Sequence, residues 1–187
     1  MNNALLVLTP VDPYWVTPDN QSLSELLEPV HLVGQQIDDN RYFVGERFLE
    51  QVAFMGCAPD IRLEPGENNE AFCHIRLVTT SRIEFYYGTE TPAPRCRACG
   101  AAVNDWKEQI ATWNEMNADA SQNTSWSCHN CGQTALPWEY NWRRSAGFSH
   151  CFIEITNIFP KEAIPQPLLL DSLKKTTGVD WQYFYQY

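Results

Sequence analysis

The sequence predicts an α+β fold in which an antiparallel or mixed sheet carries helices on one face and a smaller module is inserted between the strands. Short apolar segments and helical periodicities follow one another as strand–helix–strand–strand and then strand–helix–strand, and a ferredoxin-like layout is one member of this class. Residues 92–145 carry no net charge, whereas residues 1–91 carry −9. Proline-rich and glycine-containing stretches bound this neutral segment. We therefore predict one α+β domain from residues 1–91 and 146–187, interrupted by a module at residues 92–145.

Three elements are predicted before residue 60. The apolar run Ala4–Leu8 stops before a proline and is typical of a buried strand. Ser22–Glu28 begins with serine cap candidates and stops at a proline, which indicates a short helix. Glu46–Met55 places its apolar residues at helical spacing and is followed by glycine, so it predicts a second helix.

The remaining elements of the main domain lie on both sides of the neutral segment. Only three residues separate Phe72–Val78 from Arg82–Tyr87, and both read as strands, so the spacing predicts a β-hairpin. His150–Ile158 predicts a further strand, Pro167–Thr177 a helix that ends at a glycine, and Trp181–Tyr185 a final strand. If this last strand is an exposed edge, it could pair with a second copy and give a homodimer.

Seven cysteines are present, and four of them form two C-x-x-C-G motifs, Cys96-Arg97-Ala98-Cys99-Gly100 and Cys128-His129-Asn130-Cys131-Gly132. Two residues between paired cysteines let one tight turn direct both sulfurs at one ion, and four such sulfurs suit zinc. Iron suits the same thiolates and stays open. Cys73 and Cys151 alternate with apolar residues and are predicted to be core thiols, whereas Cys57 is predicted to lie in a loop or helix cap.

The paired motifs resemble the zinc ribbon, a structural module with one C-x-x-C-G knuckle in each half. The resemblance covers about residues 94–138. It implies that the metal ligands are Cys96, Cys99, Cys128 and Cys131. A closed site of four thiolates is a poor Lewis acid, so the expected Zn²⁺ is structural and not catalytic.

Between the knuckles, Trp106, Ile110 and Trp113 lie at the spacing of one helix face. One interpretation is that this face packs within the fold. The other is that the Trp106/Trp113 segment contacts a protein partner, because Trp is common at interface hot spots. The function favoured by the sequence is accordingly an interaction or adaptor protein.

Two other functions are weighed against this one. His74, Arg76, Glu84 and His150 fall on the predicted polar face of the sheet and could form an enzyme site, although the sequence contains no catalytic motif. The tryptophans and arginines of the ribbon could bind nucleic acid. A formal net charge of −10 argues against nucleic-acid and membrane partners. The absence of any long apolar run predicts a soluble, cytoplasmic protein.

Overall fold

The computed structural model describes residues 4–55, 61–66, 70–116, 124–159 and 161–186. The strands are β1 (Ala4–Pro10), β2 (Val33–Gln36), β3 (Arg41–Val44), β4 (Val52–Phe54), β5 (Ile75–Tyr87), β6 (Trp126–Ser127), β7 (Thr134–Ala135), β8 (Ala146–Ile158), β9 (Ala163–Pro165) and β10 (Trp181–Gln186). The α-helices are α1 (Asn20–Leu27), α2 (Phe48–Gln51), α3 (Trp106–Met116) and α4 (Pro167–Thr177). The fold is thus mixed α+β, as predicted.

The main sheet has six strands in the order β10-β1-β8-β5-β3-β2. Every neighbouring pair is antiparallel, so the antiparallel alternative is the correct one for the described strands. The long strands β5 and β8 pair from Ile75 opposite Ile155 to Tyr87 opposite Ala146. Strand β10 also approaches β5, although two strands separate them in the sheet, so the sheet curls. The segment between β5 and β8 consequently leaves and re-enters the sheet at adjacent positions.

The predicted hairpin at residues 72–87 is wrong. These residues form one strand, β5, and the partner of both of its halves is β8. The pairing shifts from Thr79 opposite Cys151 to Glu84 opposite Ser149, so β5 bulges by three residues. The residues at the expected turn are Thr, Thr and Ser, which lack the glycine or asparagine that a tight hairpin turn favours. The chain therefore bends at a bulge instead of reversing.

The predicted helix at Glu46–Met55 is only partly correct. Helix α2 covers four residues, and the chain then continues as β4, which pairs with β9. A pairing with residues more than 100 positions later could not be inferred from local spacing. The residues around Cys57 and the glycine before it lie outside the described part, so the prediction for Cys57 has no structural outcome.

One face of the main sheet packs against α1, α2 and α4 in a single apolar core. Helix α1 is capped by Asp19, whose carboxylate accepts a hydrogen bond from the Ser22 amide at 2.7 Å. Helix α4 ends at Gly178, whose φ of 78° suits a residue without a Cβ. Helices α1 and α4 contact each other on this face. The central strands supply Leu6, Leu8, Ile75, Leu77, Cys151, Ile153 and Ile155 to this core, and Cys73 joins them from just before β5.

Cys73 and Cys151 are fully buried in this core, which confirms their prediction as core thiols. Burial raises the pKa of each thiol from 9.0 to about 12. In the unfolded chain the thiols ionise from about pH 9, whereas in the folded protein they stay neutral up to about pH 12.

We expect the free energy of unfolding to decrease as pH rises through this window, because only the unfolded state loses the thiol protons. Urea unfolding at a series of pH values measures this decrease, which should be shallower in a Cys151→Ala variant. Identical slopes in the variant and in the natural sequence would contradict the assignment.

The last strand, β10, follows the predicted alternation. Trp181, Tyr183 and Tyr185 lie against the helical core, and Phe184 lies on the opposite face with Val7 and Phe152. Strand β10 is an edge of the main sheet. Pairing of two copies through this edge stays a prediction. No helix in the described ranges is both long and apolar enough to cross a membrane.

Candidate metal centre and its surroundings

The two C-x-x-C-G motifs form matching turns. In the first turn the Cys96 amide donates to the Ala101 carbonyl, and the Gly100 amide donates back to the Cys96 carbonyl, both at 2.9 Å. In the second turn the amides of Cys128 and Gly132 make the equivalent bonds at 2.9 and 2.8 Å. Both glycines have φ near +75°, a conformation that other residues adopt at a cost. Each motif therefore holds its pair of sulfurs on a rigid turn.

The two turns meet, although 28 residues separate them in the sequence. All four sulfurs lie within 4.8 Å of one another. Cys96 Sγ is 3.8 Å from Cys131 Sγ, and Cys99 Sγ is 3.7 Å from Cys128 Sγ. A tetrahedral zinc site with Zn–S bonds of about 2.3 Å has sulfur–sulfur edges of about 3.8 Å. The sulfur geometry is therefore compatible with a four-thiolate metal site.

Each exposed sulfur of the cluster accepts a hydrogen bond from a backbone amide, which favours the thiolate. At Cys99 the Ala101 amide and the Asn130 side chain donate hydrogen bonds to sulfur and lower the pKa to about 6. At Cys131 an amide donor from Gln133 also lowers the pKa, but the three neighbouring sulfurs outweigh it and raise the pKa to about 12. Four negative sulfurs at this spacing repel one another, so the fully ionised cluster requires a cation.

Beneath the sulfurs lies an aromatic core that the residues between β5 and β8 share with the main sheet. Phe148 of β8 stacks on Phe85 of β5 at a ring distance of 4.3 Å. Phe85 also contacts Trp142 at 4.8 Å and Trp106 at 6.2 Å. The buried members of this cluster are Ile83, Cys96, Val103, Trp106, Ile110, Trp113, Trp126, Cys128, Tyr140, Trp142, Ala146 and Phe148.

Helix α3 packs within this core. Its three predicted face residues are all buried, with Trp106 4% and Trp113 1% exposed. The interpretation that this face packs inside the fold is therefore correct. The indole rings of Trp106 and Trp113 are buried in this core, where they cover the end of the sheet. A partner contact through the Trp106/Trp113 segment stays a prediction.

One polar contact joins the second cysteine turn to α3. Asp105 precedes the helix, and its Oδ2 accepts a hydrogen bond from Gln109 Nε2 at 2.8 Å. The same oxygen lies 3.0 Å from His129 Nε2, within the motif. Hydrogen bonds from these two side chains lower the pKa of Asp105, although partial burial opposes them. Through Asp105, His129 thus links the second cysteine turn to the start of α3. Its position between two cysteines did not indicate this contact.

A groove of about 370 Å³ opens next to the cluster. The first cysteine turn borders it with Cys96, Arg97 and Ala98, and β7 borders it with Thr134 and Ala135. Its other lining residues are Gln133, Glu139 and Tyr140. Among the described residues, β7 pairs only with β6, and β6 contributes no lining residue. β7 therefore borders the groove, and two main-chain groups on its outer side already have partners: the Thr134 carbonyl accepts from Gln133 Nε2 at 3.1 Å, and the Leu136 amide donates to Glu139 Oε2 at 2.6 Å.

The residues proposed for an enzyme site are distributed along the paired strands β5 and β8. His74 Nδ1 lies 3.0 Å from both the Phe72 carbonyl and the Thr156 hydroxyl, and burial lowers the pKa of His74. His150 Nδ1 instead contacts the Thr80 carbonyl within the β5 bulge. His74 thus lies just before the first residue pair of β5 and β8, and His150 lies beside the bulge in the middle of their pairing.

The acidic and basic members of this polar face form two separate ion pairs. Arg76 Nε donates to Glu154 Oε2 at 2.5 Å, and Arg82 Nε donates to Glu84 Oε1 at 2.7 Å. The Glu154 side chain is fully buried. Burial, followed by the adjacent Glu154 carboxylate, raises the pKa of Tyr86 to about 12. Arg76 lies on the predicted polar face, but nothing in the sequence indicated that its partner is a buried carboxylate.

The arginines of the inserted module do not form a basic stripe. Arg95 Nη1 donates to the Gly100 carbonyl, and Arg143 Nη2 donates to the Ala93 carbonyl, both at 2.9 Å. These two side chains therefore stabilise the chain around the first cysteine turn. Arg97 lines the groove described above, and Arg144 does not. Such an arrangement gives no support to nucleic-acid binding.

Comparison with known protein families gave no matching family model, and searches of curated proteins and of solved structures gave no significant match either.

Proposed function

We propose that this protein is a zinc-stabilised interaction protein, in which Cys96, Cys99, Cys128 and Cys131 hold one structural Zn²⁺. The sulfur spacing of the cluster supports the ligand set. The ion would supply a cross-link between the two cysteine turns and no open coordination position. Iron would fit the same donors, and metal analysis distinguishes the two.

We further infer that the scaffold is ferredoxin-like. Strands β1, β5, β8 and β10 with helices α1 and α4 follow the order β-α-β-β-α-β of that fold, with all four strands antiparallel to their neighbours. The inserted module then extends from the tip of the central hairpin, between β5 and β8. Because this scaffold carries many unrelated functions, the assignment of function rests on the inserted module.

The observation that carries the function is the groove between the first cysteine turn and β7. An extended polypeptide could lie in this groove and pair with β7 if it displaced the side chains of Gln133 and Glu139 from the main chain there. Arg97 and Glu139 are the charged lining residues, and Glu139 already accepts a hydrogen bond from the Leu136 amide, so Arg97 favours an acidic side chain in the bound segment. We therefore propose that the occupant is an extended, acidic segment of a partner protein.

Selection from a displayed library of random peptides on the metal-loaded full chain tests this proposal. We expect enrichment of peptides that combine β-branched residues with at least one Asp or Glu. An Arg97→Glu variant should bind the enriched peptides about fivefold more weakly, which corresponds to an exposed ion pair of about 1 kcal/mol.

Arg144→Glu is the matched control, because it makes the same charge change in the module at a residue that does not line the groove. It should leave peptide affinity unchanged. No enrichment, or an equal loss of affinity in both variants, would contradict the proposed groove.

A further inference from the structure

Each close pair of sulfurs across the cluster joins an exposed residue to a buried one. Cys96 is 4% exposed and lies 3.8 Å from the exposed Cys131. Cys128 is 3% exposed and lies 3.7 Å from the exposed Cys99. Both pairs connect one cysteine turn to the other. An oxidant can thus reach one sulfur of each pair, and the second sulfur stands ready to react with it.

We propose that the cluster is an oxidation site for hydroperoxides, at which the pairs Cys96–Cys131 and Cys99–Cys128 become disulfides and the ion is released. This inference rests on the proposed metal site.

In the first step the exposed thiolate attacks a peroxide oxygen, and the O–O bond breaks. The products are a sulfenic acid on the protein and, after protonation of the leaving oxygen, water or an alcohol. In the second step the buried thiolate of the same pair attacks the sulfenic sulfur, and the displaced hydroxide takes up a proton.

The electron balance closes over the whole cluster. Four thiolates give up four electrons and form two disulfides, and two peroxide molecules accept these electrons with four protons. The divalent ion leaves, because a disulfide sulfur carries no charge to hold it.

The pairing across the turns has a structural consequence. Two disulfides between the turns connect the same two segments that the ion connects, so the aromatic core beneath them stays closed. Disulfides within each motif would instead leave the turns unlinked. Oxidation is therefore expected to release the metal and keep the module folded, whereas a chelator under reducing conditions should release the metal and open the module.

The other described thiols should not take part. Cys73 and Cys151 are fully buried in the main core, away from any oxidant. Cys57 lies outside the described residues, so the experiment uses a Cys57→Ser background to prevent disulfide exchange with it.

The test treats the metal-loaded Cys57→Ser chain with increasing hydrogen peroxide and follows metal release with a colorimetric zinc indicator. Peptide mapping by mass spectrometry without reduction then identifies the disulfides. We expect release to be complete at about two peroxides per ion. The map should contain the pairs Cys96–Cys131 and Cys99–Cys128, and the near-ultraviolet circular dichroism of the tryptophans should be retained.

Three results would overturn the proposal. The first is a disulfide within a motif, either Cys96–Cys99 or Cys128–Cys131. The second is retention of the metal after excess peroxide, and the third is loss of the tryptophan circular dichroism signal on oxidation. A chain that binds no metal would contradict the proposed metal site instead. In that case the disulfide map of the reduced, metal-free chain still decides which sulfurs pair.

Discussion

A Cys128→Ser variant is expected to lose its metal and more than about 4 kcal/mol of unfolding free energy, since binding of a structural zinc contributes directly to folding. Cys128 is 3% exposed and belongs to the aromatic cluster that joins the module to β5 and β8. Loss of the ion should therefore loosen the end of the main sheet as well as the module. Urea unfolding and the near-ultraviolet circular dichroism of the tryptophans measure the two effects.

Cys151→Ser is the matched control, because it places the same hydroxyl at an equally buried cysteine outside the cluster. Burial of that hydroxyl should cost about 1–3 kcal/mol and leave the metal bound. The excess loss in Cys128→Ser reports the contribution of the ion. If the two variants lost the same free energy, or if Cys128→Ser kept a full equivalent of metal, the structural role of the ion would be wrong.

An Arg76→Met variant is expected to lose about 3 kcal/mol of unfolding free energy. The Glu154 side chain is 0% exposed, whereas that of Arg76 is 41% exposed, so the substitution leaves a buried carboxylate without its cation. Glu154 Oε1 already has no hydrogen-bond partner among the described residues, which makes the carboxylate more dependent on Arg76. Denaturant unfolding at neutral pH measures the loss.

Arg82→Met provides the control on the same strand. The Arg82 side chain is also 41% exposed, but its partner Glu84 is 29% exposed and can be hydrated. The expected loss is below about 1 kcal/mol. A double variant, Arg76→Met with Glu154→Gln, should recover part of the loss, because it removes the uncompensated charge. Equal losses in Arg76→Met and Arg82→Met would show that burial of Glu154 does not matter.

The sequence predicts the fold where the pattern is local and regular. The alternation of Cys73, Ile75 and Leu77 predicts their common face, and the spacing of Trp106 and Trp113 predicts helix α3. Tertiary pairing determines the elements that were predicted incorrectly. Strand β4 exists because β9 pairs with it, and the bulge in β5 exists because β8 is the partner of both halves. Local spacing carries no information about these partners.

In the candidate site, too, the sequence predicts the local features, whereas the others depend on tertiary structure. The two C-x-x-C-G motifs predict which four sulfurs meet, since each turn is encoded by five consecutive residues. The identity of the close pairs across the turns depends on how the turns approach each other. The groove by Arg97 brings together residues from three segments of the chain, and no sequence pattern marks it. The separation of a module at residues 92–145 stays a prediction. The apolar cluster that contains the buried residues of this segment also contains Phe148 of the main sheet.

The metal content of the purified, reduced full chain tests the central claim most directly. Elemental analysis should find one equivalent of zinc per chain, and it should find none in Cys128→Ser. Replacement of zinc by cobalt should give the intense sulfur-to-metal charge-transfer bands of tetrahedral thiolate coordination. Less than about half an equivalent of any transition metal in the natural sequence would contradict the four-thiolate site.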